Sequence, residues 1–325
     1  MKILFVSNNL DHFFKDLFEG LTINHEVVFF KFSKFPNIIK LIFAAKRCDL
    51  VFVEYLAGAA WTISMLKSII RRPIVVRCHR FELCERLKDL SKIKATKKTV
   101  EKVDEIICVS NGIQDRLISF FPEAENKNIV INNGISIREK VSHVATNHLE
   151  IGSMGFLKER KGFLGLINVV SDLIDEGFDL TLHIAGKGPL MESLKNRVKE
   201  LQKSDSIFID GYINDEDYDE WFLTKDVYVQ NSSSEGHCVS TITAMGHGLT
   251  VFSSDVCGAA DSLKPSFIYP VGDLECLKDK LRWFYNLSPE EKSMIQKDNY
   301  EKSLRDFNIT HQAEKIANRF KIYVK

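Results

Sequence analysis

The chain of 325 residues is long enough for roughly two domains, and its 45% apolar and 27% charged residues exclude an intrinsically disordered protein. No run approaches the roughly 18 apolar residues of a membrane span, and the first apolar run passes into a polar turn instead of a signal-peptide core, so we expect a cytoplasmic protein. The net charge of zero conceals a basic first part, with 23 Lys+Arg against 16 Asp+Glu in residues 1–140, and an acidic remainder, with 21 against 28.

Apolar runs alternate with helical patterns from the start of the chain. Such runs are typical of strands buried on both faces of a parallel sheet, and six of them precede residue 140: Ile3 to Ser7, Glu26 to Phe30, Leu50 to Glu54, Ile74 to Cys78, Glu105 to Val109 and Asn128 to Ile131. Helical patterns such as Asp11 to Leu21 and Asn111 to Phe121 lie between them. This alternation predicts a doubly wound α/β domain.

The turns after these strands carry the first candidate residues. Asn8 and Asn9 follow the first strand without a GxGxxG fingerprint, which argues against a dinucleotide-binding dehydrogenase. His79 follows the fourth strand among other ionisable groups, where it either bonds a substrate, shuttles a proton, or serves only the structure. The segment from Asn132 to Gly134 has the composition of a turn.

The densest basic run extends from Arg86 to Lys102. As a helix it either lies against anionic lipid headgroups or presents a solvated face to water. We do not expect it to bind nucleic acid, because no aromatic residues alternate with its lysines.

A polar stretch, Ser142 to Asn147, separates the first set of strands from a second set: Leu149 to Met154, Leu180 to Ala185, Ser206 to Asp210, Asp226 to Gln230, Thr250 to Ser253 and Phe267 to Tyr269. We therefore predict two Rossmann-like domains, residues 1–145 and 146–309, followed by a helix in residues 310–325 that packs on either of them. Ligands of such sheets bind beyond the carboxyl ends of the strands, so we expect the site in a cleft that the two domains face.

Three turns of the second half are candidate nucleotide contacts. The turn from Gly155 to Gly162 contains several cations, which suits a diphosphate as well as a solvated loop. The turn from Gly186 to Pro189 suits close approach of a ligand or simply helix entry, and Gly211 to Ile213 offers main-chain contacts to a base. Asp215 to Asp217 has a DxD form, for which helix capping is favoured over metal binding. The seven scattered cysteines form no CxxC pair, so we predict no metal site.

The segment from Asn231 to Asp255 follows the predicted strand Asp226 to Gln230. Its pattern predicts a Ser-rich loop, a short helix from Ser240 to Met245, and another strand. Gly236 to Val239 leads into the helix, whose unpaired N–H groups and positive dipole end favour an anion such as phosphate.

These segments in this order resemble the retaining glycosyltransferases of family 4, which have the GT-B fold, over most of the chain. The matching segments are Gly155-Phe156-Leu157, Lys161-Gly162, Gly186 to Pro189, Gly211 with Ile213, Ser232 to Gly236, Thr243 to Gly248, Ser253 to Asp255, Cys108 to Asn111 and Asn133 to Ile135; His79 falls at the usual active-site histidine.

The resemblance implies a role for each candidate residue. It places His79 and Glu235 at the reacting sugar. The implied donor diphosphate contacts are Lys161, Arg160, Gly236, His237, Cys238, Val239, Ser240 and Thr241. The implied donor nucleoside contacts are Gly186, Gly188, Ile213 and Thr243, and the implied acceptor-side residues are Asn8, Asn9 and Arg80.

The chain departs from the family at three positions. Thr243 replaces the second glutamate of the E-x7-E motif, Phe156 replaces the arginine of a Gly-Arg-Leu turn, and Asn8-Asn9 replaces a Gly-Gly loop. The first two also favour an alternative, a non-catalytic partner or scaffold with the same fold. A sugar-nucleotide epimerase is a third interpretation.

The resemblance implies a sugar transfer from a nucleotide-sugar co-substrate, UDP- or GDP-linked, to a glycan or lipid-linked acceptor of a bacterial surface polysaccharide. No further cofactor, metal or nucleic acid is expected. The basic N-terminal part adds a possible partner, an anionic surface at the inner face of the cell membrane.

Overall fold

The computed structural model describes residues 1–10, 12–34, 36–137 and 148–324. The chain divides into two compact units, Met1–Ser136 with Phe307–Lys325 (unit 1), and Ile137–Asp306 (unit 2). The expected boundary at residue 145 and the polar stretch Ser142 to Asn147 lie outside the described residues.

Unit 1 is built on a parallel sheet of six strands. The strands are β1 Lys2–Ser7, β2 Glu26–Lys31, β3 Leu50–Glu54, β4 Ile74–Cys78, β5 Glu105–Cys108 and β6 Asn128–Val130, and the helices are α1 His12–Thr22, α2 Ile38–Lys46, α3 Gly58–Met65, α4 Lys67–Ile70, α5 Leu90–Lys102 and α6 Asn111–Phe120. Their order in the sheet is β2-β1-β3-β4-β5-β6.

Unit 2 repeats this architecture with a second six-stranded parallel sheet, in the order β12-β11-β10-β7-β8-β9. Its strands are β7 Leu149–Met154, β8 Leu180–Ala185, β9 Ile207–Gly211, β10 Val227–Gln230, β11 Thr250–Ser254 and β12 Ile268–Tyr269, and its helices are α7 Phe163–Asp175, α8 Met191–Glu200, α9 Tyr218–Leu223, α10 Val239–Gly246, α11 Ala259–Ser262, α12 Leu274–Tyr285 and α13 Pro289–Asp306. The prediction of two doubly wound parallel sheets is confirmed.

Burial on both faces is complete for three inner strands of unit 1 and fails at the sheet edges. Every residue of β3, β4 and β5 is buried, as the apolar runs predict. By contrast β2 and β9 lie at edges, and Phe208 of β9 is 38% exposed. An edge strand has a neighbour on one side only, so its side chains are covered less completely.

The last helix, α14 (Ile309–Tyr323), packs on unit 1. Its buried face joins Phe5, Phe52 and their neighbours in one hydrophobic core, and Phe320 lies 5.1 Å from Phe52 between ring centroids. The chain enters this helix beside β6, where the Ile135 N–H donates to Phe307 O at 2.8 Å.

The predicted basic helix is shorter than its sequence run. The helix α5 begins at Leu90, because Asp89 accepts a hydrogen bond from the Ser91 N–H and caps it. A π-helical turn, Phe81–Glu85, and a 3₁₀ turn, Arg86–Lys88, precede it.

In each sheet the chain reverses its direction of winding at one point. The switch lies between β1 and β3 in unit 1, and between β7 and β10 in unit 2. The turns after these strands flank a crevice, where open α/β sheets bind their ligands. No helix in the described part of the chain is long and apolar enough to cross a bilayer.

Candidate functional site

Two cations and one carboxylate meet at the switch point of unit 2. Arg160 and Lys161 follow β7, and Glu235 follows β10. The Glu235 Oε1 atom lies 2.7 Å from Arg160 Nη1 and 2.8 Å from Lys161 Nζ, and it accepts a hydrogen bond from Ser232 Oγ at 2.9 Å. The structure thus brings together three residues that are far apart in the sequence.

Glu235 is almost fully buried, which affects its ionisation. Burial favours the neutral acid, but the positive charges of Lys161 and Arg160 outweigh this effect and lower the pKa of Glu235 below its usual value. The carboxylate is therefore ionised at neutral pH and leaves one net positive charge on the three side chains.

The turn that carries the two cations is held directly on the loop that carries Glu235. Asn231 Nδ2 donates to Gly162 O at 2.9 Å, and the Ser233 N–H donates to Arg160 O at 2.8 Å. Gly162 has φ +67°, and a Cβ there would lie 2.0 Å from Asn231 O. Only glycine fits between the two loops at this position.

The start of α10 is organised by Gln230, the last residue of β10. Cys238 Sγ donates to Gln230 Oε1 at 2.9 Å, and Ser240 Oγ donates to the same oxygen at 3.4 Å. Val239, Ser240 and Thr241 supply the first backbone N–H groups of the helix. The Thr241 hydroxyl is buried, with no hydrogen-bond partner among the described residues.

Gly236 and His237 are fixed from the side of the next loop. Gly258 has φ +81°, and a Cβ there would lie 2.6 Å from Gly236 O. The His237 Nε2 atom is 3.1 Å from Ser262 Oγ, and the imidazole is buried. This imidazole is held within unit 2 by Ser262, which leaves the backbone of His237 for the predicted phosphate contact.

The predicted nucleoside glycines lie against the cationic turn. A Cβ on Gly186 would come within 1.9 Å of Gly155 O, and a Cβ on Gly188 within 2.5 Å of Leu157 O. The Lys161 side chain passes over the other side of Gly155, 3.0 Å from where a Cβ would stand. Close approach of two backbone segments therefore explains these glycines. The same approach brings the predicted nucleoside residues next to the turn that carries the predicted diphosphate residues.

The remaining nucleoside candidates, Ile213 and Thr243, follow β9 and lie in α10, respectively. Ile213 follows Tyr212, whose ring is half exposed and lies 4.4 Å from Lys187 Nζ. Thr243 is buried one turn into α10, where its carbonyl oxygen accepts a hydrogen bond from His247 Nδ1 at 2.8 Å. Phe156, at the position of the family's arginine, is half exposed and lies 5.6 Å from Lys158 Nζ.

The sequence suggested capping by the acidic run Asp215 to Asp217, but the structure assigns the hydrogen bond differently. Asn214 Oδ1 accepts from the Asp217 N–H at 2.9 Å, and Asp217 makes no side-chain cap of its own.

In unit 1, His79 lies beside its own carboxylate. Its Nε2 atom is 2.8 Å from Glu54 Oε2, at the carboxyl end of β3. The imidazole also packs against Tyr55, with 4.8 Å between ring centroids. Burial of Glu54 opposes ionisation, but Arg77 and His79 together lower its pKa. Glu54 is thus a charged, fully buried anchor for the histidine.

Glu54 also contacts Arg77, whereas the acceptor-side candidates Arg80, Asn8 and Asn9 lie in the turns after β4 and β1. Arg77, fully buried in β4, lies 3.3 Å from Glu54 Oε1 and donates to Asn133 Oδ1 at 2.9 Å. Arg80 donates to Glu85 at 2.9 Å, and with Lys88 it lowers the pKa of Glu85 to about 2. Asn8 and Asn9 are exposed in the turn after β1.

Glu54 and Gln230, which contribute to the two sites, were not predicted from the sequence. Each is the polar last residue of an otherwise apolar strand. That pattern was available in the sequence, because a polar side chain at the carboxyl end of a buried parallel strand lies at the ligand-binding edge of the sheet.

A model of the family "Glycosyl transferases group 1" matches residues 136–301, about half of the chain. The chain belongs to the group 1 glycosyl transferases. A second model, "Glycosyltransferase Family 4", matches residues 20–139, so the predicted resemblance to this family is confirmed.

Individual relatives agree with the family. The chain is 25% identical over 266 residues to Protein CapJ of Staphylococcus aureus, covering 80% of this chain and 63% of CapJ. It is 27% identical over 183 residues to WcaL of Escherichia coli (strain K12), covering 53% and 43%; the name of WcaL assigns it provisionally to colanic acid biosynthesis as a glycosyltransferase. The chain thus spans less than two thirds of these curated relatives.

The crystal structure of Anabaena HepE in complex with UDP superposes with a TM-score of 0.84 at 17% identity, covering 99% of this chain and 100% of that one. Such a likeness shows the fold, and the predicted GT-B fold of this glycosyl transferase is confirmed.

Proposed function

We propose that this chain transfers a sugar from a UDP- or GDP-sugar to a glycan or lipid-linked acceptor, with retention of anomeric configuration, in bacterial surface polysaccharide synthesis. The cluster of Arg160, Lys161 and Glu235 at the switch point of unit 2 carries the proposal. WcaL, whose name refers to colanic acid biosynthesis, supports the choice of pathway.

The donor diphosphate is assigned to the two cations and to the N-terminus of α10. Departure of the nucleoside diphosphate places negative charge on its phosphate oxygens, and fixed positive groups lower the energy of that state. Arg160 and Lys161 supply charge, and residues Gly236 to Thr241 supply backbone donors. The unpartnered donors Arg160 Nε and Thr241 Oγ1 suit this role. No metal is required, since both cations are built into the chain.

Glu235 is assigned to the hydroxyl groups of the transferred sugar. Its Oε1 atom holds the two cations, and Oε2 accepts from the sugar. When the diphosphate binds, it shares the two cations with Glu235, which couples the position of the leaving group to that of the sugar. The loop from Gly186 to Gly188 and Ile213 receive the nucleoside, and Thr243 replaces a charged ribose contact with a hydroxyl.

His79, oriented by Glu54, is assigned to the sugar and the acceptor. Retention then follows if the leaving phosphate accepts the proton of the incoming hydroxyl on the same face of the sugar.

Release of nucleotide from a panel of UDP-, GDP-, ADP- and CMP-sugars, with and without EDTA, tests the proposal. We expect turnover with a UDP- or GDP-sugar that persists in EDTA. Lys161→Ala and Glu235→Ala should each lower kcat by about 10²–10³, as removal of a preorganised charge does elsewhere. Lys264→Ala, which removes a lysine of a surface ion pair, is the matched control and should leave kcat unchanged.

The competing proposal is a non-catalytic scaffold, favoured by Phe156 and Thr243. Failure to bind or turn over any sugar nucleotide would support the scaffold and contradict a transferase. Nucleotide release that proceeds at the same rate without an acceptor, and leaves a free sugar, would instead indicate an epimerase.

A further inference from the structure

Unit 1 exposes apolar side chains among uncompensated cations on two adjacent helices. We define the α2–α4 surface as Ile39 and Phe43 of α2 and Ile69 of α4, together with the cations Lys40, Lys46, Arg47 and Arg71. The helices α2 and α4 pack together, and Arg72 Nη2, in the turn after α4, donates to Lys46 O at 3.0 Å.

The apolar side chains of α2 point away from the core. Leu41 and Ala45 are the buried residues of this helix. Ile39 and Phe43 stand two positions before them, about 200° around the helix, and four residues apart on one face. They are 69% and 62% exposed, and Ile69 is 47% exposed. An amphipathic helix normally buries such residues, so these three leave apolar area open to an additional partner.

The two chain segments that carry these apolar side chains contain only positive charges, although Lys67 of α4 pairs with Asp104 at 2.7 Å. No Asp or Glu occurs between Glu26 and Asp49, a segment with five Lys or Arg, or between Glu54 and Glu82, which holds five more. Among the described residues, no ion pair involves Lys40, Lys46, Arg47 or Arg71. The cations of α2 and of the turn after α4 are therefore available to an external anionic partner.

The basic run at α5, which the sequence assigns to either a lipid contact or a solvated face, differs in both its charges and its apolar side chains. Lys92 pairs with Asp89 at 3.6 Å, and Lys97 pairs with Glu123 at 2.6 Å. Three exposed lysines of α5, Lys94, Lys98 and Lys102, stay outside such pairs among the described residues. After Leu90, the first residue of α5, none of its apolar side chains is among the large exposed ones.

We propose that the α2–α4 surface, and not α5, binds the surface of an anionic lipid bilayer. Ile39, Phe43 and Ile69 enter the boundary between headgroups and acyl chains, and the four cations contact lipid phosphates, as interfacial amphipathic helices do. This inference rests on the proposed function and deepens it, because a chain bound to the bilayer in this way lies at the membrane surface, where a lipid-linked acceptor is located.

Co-sedimentation of the full chain with vesicles tests this surface. The vesicles are phosphatidylcholine alone, or an equal mixture with phosphatidylglycerol, at physiological salt. We expect binding to the mixed vesicles only, weakened at high salt because added ions screen the cations. Ile39→Ser with Phe43→Ser, and separately Lys40→Glu with Lys46→Glu, should each lower the partition coefficient about tenfold or more.

The matched control reverses two charges on α5. Lys94→Glu with Lys98→Glu changes the same charge as the α2 pair, and we expect it to alter binding by less than about twofold, since neither lysine belongs to the α2–α4 surface and salt screens exposed charges away from the contact. A large loss with the α5 pair and none with the α2 pair would overturn the proposal. A second outcome would also overturn it: the wild-type chain does not bind vesicles but forms a dimer, and Ile39→Ser with Phe43→Ser dissociates that dimer. In that case a second copy of the chain covers the surface.

Nucleotide release without vesicles, measured on the same preparations, separates this inference from the proposed function. We expect it to be unchanged in the α2 variants, which also shows that they are folded. Turnover without vesicle binding would contradict the surface alone, whereas vesicle binding without turnover would contradict the transferase alone.

Discussion

Two buried carboxylates, Glu235 and Glu54, hold the candidate residues of the two units. Each remains ionised because cations compensate its burial: Lys161 and Arg160 in one case, and Arg77 in the other. A buried charge pair adds little net stability, but the loss of one member is costly. This arrangement suits sites whose charged groups must keep fixed positions.

The charge on Glu235 predicts a pH-dependent contribution to stability. Its pKa in the folded chain lies below the ordinary value of 4.5, so its stabilising effect is complete above that pH and is lost as the pH falls through the folded value. We expect Glu235→Gln to destabilise the chain by about 3 kcal/mol at pH 7, since it leaves Lys161 and Arg160 uncompensated. Urea unfolding from pH 7 to pH 3 measures the difference, which should shrink below pH 4.5. A difference independent of pH would show that the charge of Glu235 is not responsible.

The pair of Glu54 and Arg77 predicts strong coupling between two substitutions. Glu54→Gln removes the carboxylate that pairs with the buried guanidinium of Arg77, and we expect a loss of about 3–5 kcal/mol. In Glu54→Gln with Arg77→Met neither charge remains, so most of that loss should be recovered. The four free energies of unfolding form a double-mutant cycle. If the two single-substitution losses simply add up in the double variant, Glu54 and Arg77 do not stabilise each other's buried charge.

At this scale the sequence predicts which residue types occupy the donor site, but not which contacts they make. Lys161 and Glu235 were identified through motifs of the family. Their direct contact required the structure, because nothing in the sequence relates the side-chain directions of two loops that follow β7 and β10. Glu54 was missed because it ends an apolar run, where one charge does not alter the predicted strand.

Among the elements, the turn from Arg160 to Gly162 depends on a single glycine. Gly162→Ala would place a Cβ 2.0 Å from Asn231 O in a left-handed conformation, so the turn must move and carry Lys161 with it. Gly177 is the matched control, since it also has positive φ (+94°) but nothing within 4 Å of a Cβ. We expect Gly177→Ala to cost only the conformational penalty, about 1 kcal/mol, and to leave kcat unchanged.

Gly162→Ala should cost clearly more in thermal or urea unfolding and should also lower donor turnover. Equal losses of stability for the two variants, with turnover retained in both, would contradict the role of the close contact in positioning Lys161.

The strands were predictable because each is short, apolar and bounded by turn residues. All six predicted runs in each unit form strands, with ends that differ by one residue at most. The start of α5 was not predicted, because Lys and Arg favour a helix throughout the basic run. The helix start is defined by the capping hydrogen bond that Asp89 accepts, which is seen only in the structure. Where α14 packs was also left open, since an amphipathic helix fits any apolar surface.

For the whole molecule, α14 makes the first and last parts of the chain one folding unit. The sheet of unit 1 is complete by residue 130, yet its core includes Ile316, Ala317 and Phe320 from the end of the chain. Without this helix the aromatic face of Phe52 would lose its cover. The stability of unit 1 therefore depends on residues that follow all of unit 2.

Substitutions in α14 should accordingly weaken unit 1. Phe320 is fully buried, so Phe320→Ala should cost about 3–5 kcal/mol through lost burial and the cavity that remains. Ile322, in the same helix, is 59% exposed, and Ile322→Ala should change stability by less than about 0.5 kcal/mol.

Hydrogen exchange detected by mass spectrometry resolves the two units. In Phe320→Ala, peptides from residues 1–136 should lose protection and those from residues 148–306 should keep it, because no core contact of Phe320 lies in unit 2 among the described residues of its cluster. Equal loss of protection in both units would show that they unfold as one cooperative body.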